Sequence, residues 1–227
     1  MKRNFEVTES TTTVKNIFNA EDEKMVEHLL RKMLGLGEDV ELDDNLKETP
    51  HRYLKLWTEM TEGYRTDPAS YLEKSFPVNS PNLADEEDAF QADTTASEFH
   101  KGIVVVSTDA WSNCCHHLAP MHCRVDVAYI PGEKVVGLSK IVRCVKMYGR
   151  RLNLQEAWGE NIANAMMNKL GAVGVMVRIS GIHSCVSMRG AQEQTSKTTS
   201  MAIRGCFTGD VAARNEAISL MDRNDLR

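Results

Sequence analysis

No stretch of this 227-residue sequence approaches the roughly 18 consecutive apolar residues that a bilayer-spanning helix needs. The opening residues, MKRNFEVTESTTTVK, lack the apolar core of a secretory signal, so the expectation is a cytoplasmic chain. A basic excess is missing as well: 27 Lys and Arg stand against 32 Asp and Glu, a formal net charge of -5. General nucleic-acid binders carry the opposite balance, so no nucleic-acid partner is expected. A small anionic ligand stays open, because a local basic pocket can sit on an acidic protein. No internal repeat is found. The remaining composition, 42% hydrophobic and 26% charged, is that of an ordinary globular protein. The length suits one large domain, or a compact domain with an extra lobe.

Local patterns divide the chain. Residues 1–20 are polar and Thr-rich and read as a flexible arm. In a helical region over 21–76, Met25, Val26, Leu29, Leu30, Met33 and Leu34 recur at helical spacing up to Gly35. Thr49-Pro50 then reads as a hydroxyl N-cap followed by proline, with Tyr53, Leu54, Trp57 and Met60 facing a core. Arg52 and Lys55 lie on that helix's polar side, where pattern alone shows only a solvated face. Residues 77–98 are acidic and rich in turn formers, a long surface loop. Over 99–227 the pattern changes. GIVVVS (102–107), RVDVAYI (124–130), GVMVRIS, SCVSMRG and SMAIRGCF read as strands. Ser139 can cap a helix running to about Gly149, a second helix spans Leu154 to Leu170, and a last one 210–222. The fold class is α+β: an antiparallel sheet with a helix pair on one face, not repeating βαβ units.

Between the first two strands lies NCCHHLAPMHC, with three cysteines and three histidines in eleven positions. Cys114 and His117 form a C-x-x-H bite, and Cys185 in HSCVSMRG offers a third ligand. Two thiolates and an imidazole suit zinc, and three protein ligands would leave one position for water. A closed structural site recruiting Cys115, His122 or Cys123 is the alternative that spacing leaves open. Cys144 and Cys206 read as buried core thiols. His116 and His183 flank the ligands and are candidates for proton transfer, or for props of the loop. Ser139, Lys140 and Arg143 lie near a helix start, where backbone N–H groups and two cations can hold phosphate, or where a helix simply meets solvent. Gln155-Glu156 opens the next helix. A carboxylate there complements the helix dipole, and it can also accept the paired N–H donors of guanine.

Taken in order, LKETPHR, C-x-H-H-L-x-P, VAYIPGEKVVGLSKIVR, LQE, IHSCVSMRG and TSKTTS resemble GTP cyclohydrolase I, from about Asp43 to Phe207 apart from the acidic loop. The resemblance implies zinc on Cys114, His117 and Cys185, one ion per subunit, and proton transfer by His116 and His183, with Ser139 assisting. It also implies triphosphate contacts from Ser139, Lys140, Arg143 and Arg189, joined by Arg52 and Lys55 of another subunit. Glu156, helped by Gln155, would recognise guanine. The implied reaction converts GTP and water to 7,8-dihydroneopterin triphosphate and formate. The implied fold is the tunnelling fold, its subunits closing into rings that stack as a decamer of two pentamers. Two positions depart from the family pattern: Cys115 replaces a usual Glu, and Cys123 a common Gly. Two other readings remain at this point: a pterin-handling relative of that fold without ring opening, and a zinc-stabilised binding protein.

Overall fold

The computed structural model describes residues 17–37, 39–78 and 102–224. The expected acidic loop, beyond its first two residues, and most of the expected N-terminal arm lie outside the described residues. The chain divides between Thr66 and Asp67 into two compact units.

In the first unit, α1 (Ala20–Leu34) starts at a reciprocal cap. The Asn19 side chain accepts from the backbone of Glu21 and Asp22, and the Asp22 carboxylate accepts from Asn19 N–H at 2.8 Å. Gly35, at φ 68°, closes it in the left-handed conformation that glycine adopts without a Cβ penalty. No residue of α1 is buried, and Met25, Leu29, Met33 and Leu34 all face outward. The second helix, α2 (Thr49–Met60), corrects two expectations. Glu48, not Thr49, is its N-cap, and no side chain caps it; Pro50 sits in the first turn, where a missing N–H costs nothing. Leu54 and Thr58 are buried, whereas Tyr53 is exposed and packs edge-on to Trp57 at 6.2 Å. Arg52 and Lys55 are both exposed.

The second unit is built on a five-stranded sheet. Its strands are β2 (Val104–Cys114), β3 (Pro120–Ile130), β5 (Leu152–Asn153), β6 (Gly174–His183) and β7 (Thr198–Gly205), in the order β5-β2-β3-β6-β7. All neighbours are antiparallel except β5, which runs parallel to the end of β2. A short ladder, β1 (Ser75–Pro77) with β4 (Lys134–Val136), was not expected from the sequence. Strands β2 and β3 reach further than their apolar runs, through Asn113↔Pro120, so only 115–119 of the Cys/His-rich stretch form the loop. The ladder continues there because Trp111 and His122 stack across it, ring centroids 4.5 Å apart, while Ser112 and Met121 are buried on the other side. SCVSMRG is not a strand: it forms the single turn α5 (Ser184–Ser187) and an irregular segment.

Alternation sends Val125, Val127, Tyr129, Val175, Val177 and Ile179 to one face of the sheet, under α3 (Leu138–Gly149) and α4 (Gln155–Ala165). Trp158 of α4 is wholly buried and donates its indole N–H to Val145 O of α3 at 3.2 Å, which ties the pair together. Ser139 is not a cap; Gly137 precedes α3, and Ser139 is its second residue. The continuous helix expected to Leu170 changes at Met166 into a wider π turn ending at Leu170. The other face carries Ala128 and Met176 against Phe207 and α6 (Val211–Asn224), through Ala217 and Met221. Among the described residues no helix is long and apolar enough to cross a membrane.

Under α6 lies a buried ion pair. Asp126, 1% exposed, accepts from Arg178 Nε at 3.0 Å and Nη2 at 2.8 Å, and from Arg124 Nε at 3.3 Å. Arg178 also reaches Asp222 of α6, and Arg124 Nη2 donates to Asn224 O at 3.0 Å. Asp126→Ala strands a largely buried guanidinium and is expected to cost about 3–5 kcal/mol. Thermal unfolding checks this: an unchanged melting temperature would mean that Asp222 alone suffices for Arg178.

Candidate metal and substrate site

Register explains why distant cysteines meet. Asn113 pairs with Pro120 and Met121 with His183, so the end of β2, the start of β3 and the end of β6 lie side by side. Cys114 is the last residue of β2, and Cys185 follows directly on β6 in α5. Between β2 and β3 the chain turns back on two 2.8 Å backbone bonds, Leu118 N–H to Cys114 O and Cys114 N–H to Ala119 O. Leu118 takes φ 55° in this turn. Cys115 N–H donates to Asn153 O at 3.2 Å and fastens the turn to β5. The result gathers Cys114 Sγ, a ring nitrogen of His117 and Cys185 Sγ within 4.8 Å of one another. On a tetrahedral zinc, bonds of about 2.3 Å to sulfur and 2.0–2.1 Å to nitrogen would set ligand atoms roughly 3.5–3.8 Å apart. The Cys114 Sγ to His117 Nδ1 distance of 4.0 Å is close to this, so the group could hold a metal with small side-chain adjustments.

The candidates for a fourth ligand stand elsewhere. Cys123 is fully buried on the helix-covered face, and a Cβ on Gly181 would meet its Sγ at 2.2 Å. Burial pushes its thiol up to about 11. His122 points to the opposite face, against Trp111. Cys115 is exposed and does not join the group. All six cysteines are free thiols. Cys144 is buried and its thiol is pushed up to about 12, mainly by that burial, whereas Cys206 is only half-buried.

Five more expected residues surround the group. His116 is exposed, its Nδ1 3.8 Å from Cys114 Sγ. His183 Nε2 is 2.9 Å from Gln155 Oε1; burial lowers its basicity, and the carboxylate of Glu156 opposes that shift. Glu156 is exposed in the first turn of α4. Burial raises the Cys185 thiol, Cys114 adds to this, and the charge of the exposed Arg189 works against it. Gln155 behaves differently from its neighbours. Its side chain is 2% exposed, and Nε2 donates to Ile179 O at 3.0 Å, Thr198 O at 3.1 Å and Ser200 Oγ at 3.0 Å.

Ser139, Lys140 and Arg143 lie in the first half of α3. The end of α3 packs beside Cys114's strand: Asn153 Nδ2 donates to Tyr148 O and Ser112 Oγ, both at 2.9 Å. A Cβ on Gly149 would lie 2.6 Å from Trp111 O, so only glycine allows that approach. At a rise of 1.5 Å per residue the first turn of α3 is about 15 Å further along the helix. Ser139 in that turn and Arg143 in the next are exposed, and neither Lys140 nor Arg143 has a carboxylate partner among the described residues.

A model of one protein family, GTP cyclohydrolase I, matches residues 23–222. The chain belongs to the GTP cyclohydrolase I family. GTP cyclohydrolase 1 of Deinococcus radiodurans is 38% identical over 195 residues, covering 86% of this chain and 82% of that protein. GTP cyclohydrolase 1 of Clostridium kluyveri is 34% identical over 201 residues, covering 88% and 98%. Among solved structures, the archaeosine synthase QueF-Like in its apo form covers 45% of this chain and 93% of its own, at 18% identity and a TM-score of 0.39. That likeness is too low to speak for the fold. The GTP cyclohydrolase I match spans both compact units, so Arg52 and Lys55 fall within it as well as the metal group.

Proposed function

We propose that the chain converts GTP and water to 7,8-dihydroneopterin triphosphate and formate, at the Cys114–His117–Cys185 group. The carrying observation is that two thiols and an imidazole meet within 4.8 Å, with His183 and Glu156 beside them. Cys114, His117 and Cys185 would hold zinc, one ion per subunit, which supplies Lewis acidity and an activated water for attack on C8 of the purine. Glu156 accepts the N1–H and 2-amino hydrogens of guanine and so orients the base. His183 and His116 move protons as the imidazole ring opens and as formate leaves; Ser139 assists the later rearrangement and closure of the pterin ring. Lys140, Arg143 and Arg189 hold the triphosphate, with Arg52 and Lys55 of another subunit.

Because Arg52 and Lys55 come from another copy in this reading, the assembled site draws on more than one subunit. This supports the tunnelling fold, with sheets joined into a ring and two pentameric rings stacked as a decamer. We place the reaction in the cytoplasm, where thiol ligands stay reduced.

The test is incubation of zinc-loaded protein with GTP, following formate release and pterin fluorescence. Zinc-replete, assembled protein that yields neither product would sink the proposal. Base recognition has its own check. An amide cannot accept both guanine donors, so Glu156→Gln loses a charge-assisted hydrogen bond worth about 1.5–3 kcal/mol. GTP affinity should fall about tenfold or more. Unchanged affinity would leave Glu156 with only its favourable place at a helix N-terminus.

A further inference from the structure

We infer that Gln155 is a positioning residue that fixes His183 as its Nε2–H tautomer and so leaves the ring's lone pair on Nδ1. The inference rests on the reading of His183 as a proton-transfer group in GTP ring opening. Its structural part stands without that reading.

Nitrogen and oxygen of a carboxamide are told apart by their partners. One end of Gln155 meets two backbone carbonyls, Ile179 O at 3.0 Å and Thr198 O at 3.1 Å. Carbonyl oxygens only accept, so that end must be the NH2 group, and its two hydrogens are both used. Ser200 Oγ at 3.0 Å crowds the same end. Turning the amide over would set its oxygen against two carbonyl oxygens. In a side chain only 2% exposed, no water is at hand to relieve that repulsion. The other end is therefore Oε1, and it faces His183 Nε2 at 2.9 Å. An oxygen acceptor there requires the hydrogen on Nε2. In the neutral ring the lone pair then belongs to Nδ1, which can take a proton and return it.

The same bonds decide what Gln155 does not do. Its amide hydrogens hold β6 and β7 to the first turn of α4, so a guanine base could claim them only by displacing the Ile179 and Thr198 carbonyls. Reading of the base falls to Glu156, the exposed neighbour in that turn. A neutral amide also differs from a carboxylate in this place: it orients the ring without adding a charge of its own. Fixing a ring through its second nitrogen is a general way of setting which nitrogen faces the reactants.

The first measurement needs no substitution and no substrate. Full-length, zinc-loaded protein labelled with 15N-histidine is examined by two-bond 15N–1H correlation, with His183→Ala identifying the His183 resonances. Hydrogen on Nε2 is expected; hydrogen on Nδ1 overturns the inference. The second uses Gln155→Leu. Zinc content and the KM for GTP should stay within about twofold, while kcat falls by about 10²-fold, the lower end of a general acid–base contribution. A raised KM with kcat retained would make Gln155 a base-reading residue and overturn the inference. If Gln155→Leu does not fold, the tautomer of the unaltered protein still decides. If the unaltered protein does not turn over GTP, the proposed activity fails, and the tautomer result is read independently.

Discussion

Cys114→Ala, His117→Ala and Cys185→Ala should each lose bound zinc on dialysis and show no ring opening above background. Each removes one of three protein donors, and neither Cys123 nor His122 stands ready to replace it. Cys123 is held under the sheet beside Gly181, and His122 is stacked on the other face. His116 makes the test of His117 a sharp one. Its Nδ1 is 3.8 Å from Cys114 Sγ and that of His117 is 4.0 Å, so distance to this thiol does not choose between them. What chooses is Cys185, which groups with Cys114 and His117 and not with His116. Zinc per chain, measured by atomic absorption, and pterin fluorescence check all three variants. A variant with full zinc and full turnover takes its residue out of the set. Cys115→Glu, which restores the usual family residue, should keep both zinc and activity, since the Cys115 side chain is exposed and outside the group. Loss of zinc in that variant would make Cys115 a ligand.

The metal trio was legible because ligand chemistry is carried by residue type and short spacing: Cys114 and His117 announce themselves, and Cys185 completes the donor set. Their meeting was not legible. It depends on the register of β3 with both β2 and β6, which apolar runs understate, since the ladder continues through polar and cysteine residues at 111–114 and 120–123. SCVSMRG looked like a strand because of its small and β-branched residues, yet it turns into α5 at the point where β6 ends. Local propensity is a weak guide at such a junction. The starts of α2 and α3 lie one and two residues earlier than expected, because Thr49 and Ser139 resemble caps while Glu48 and Gly137 do the capping without a side-chain bond. For Gln155 the resemblance implies only help in guanine recognition, and it is the packed structure that shows its amide shared among two strands and a histidine.

His183→Ala and His116→Ala should keep near-stoichiometric zinc and bind GTP, yet fail to form 7,8-dihydroneopterin triphosphate. Neither ring belongs to the ligand group, so their removal leaves Cys114, His117 and Cys185 in place. General acid–base groups contribute about 10²–10⁴-fold in rate, and losses in that range are expected here. The two variants need not stop at the same step. His183 is half-buried beside Glu156 and held by Gln155, close to where the base is oriented. Its loss should therefore leave the purine's imidazole ring unprotonated and a poor electrophile, with no ring-opened species. His116 is exposed in the turn and has no such anchor among the described hydrogen bonds other than its contact with Cys114. Its loss is expected to act after the first hydrolysis, so that a formylated, ring-opened nucleotide accumulates. Rapid quenching followed by chromatography separates the two outcomes, because only the second retains the formyl carbon on an opened ring. A loss of only about twofold in both variants would reduce the two histidines to supports of the loop. Proton transfer would then pass to water or to the exposed thiol of Cys115.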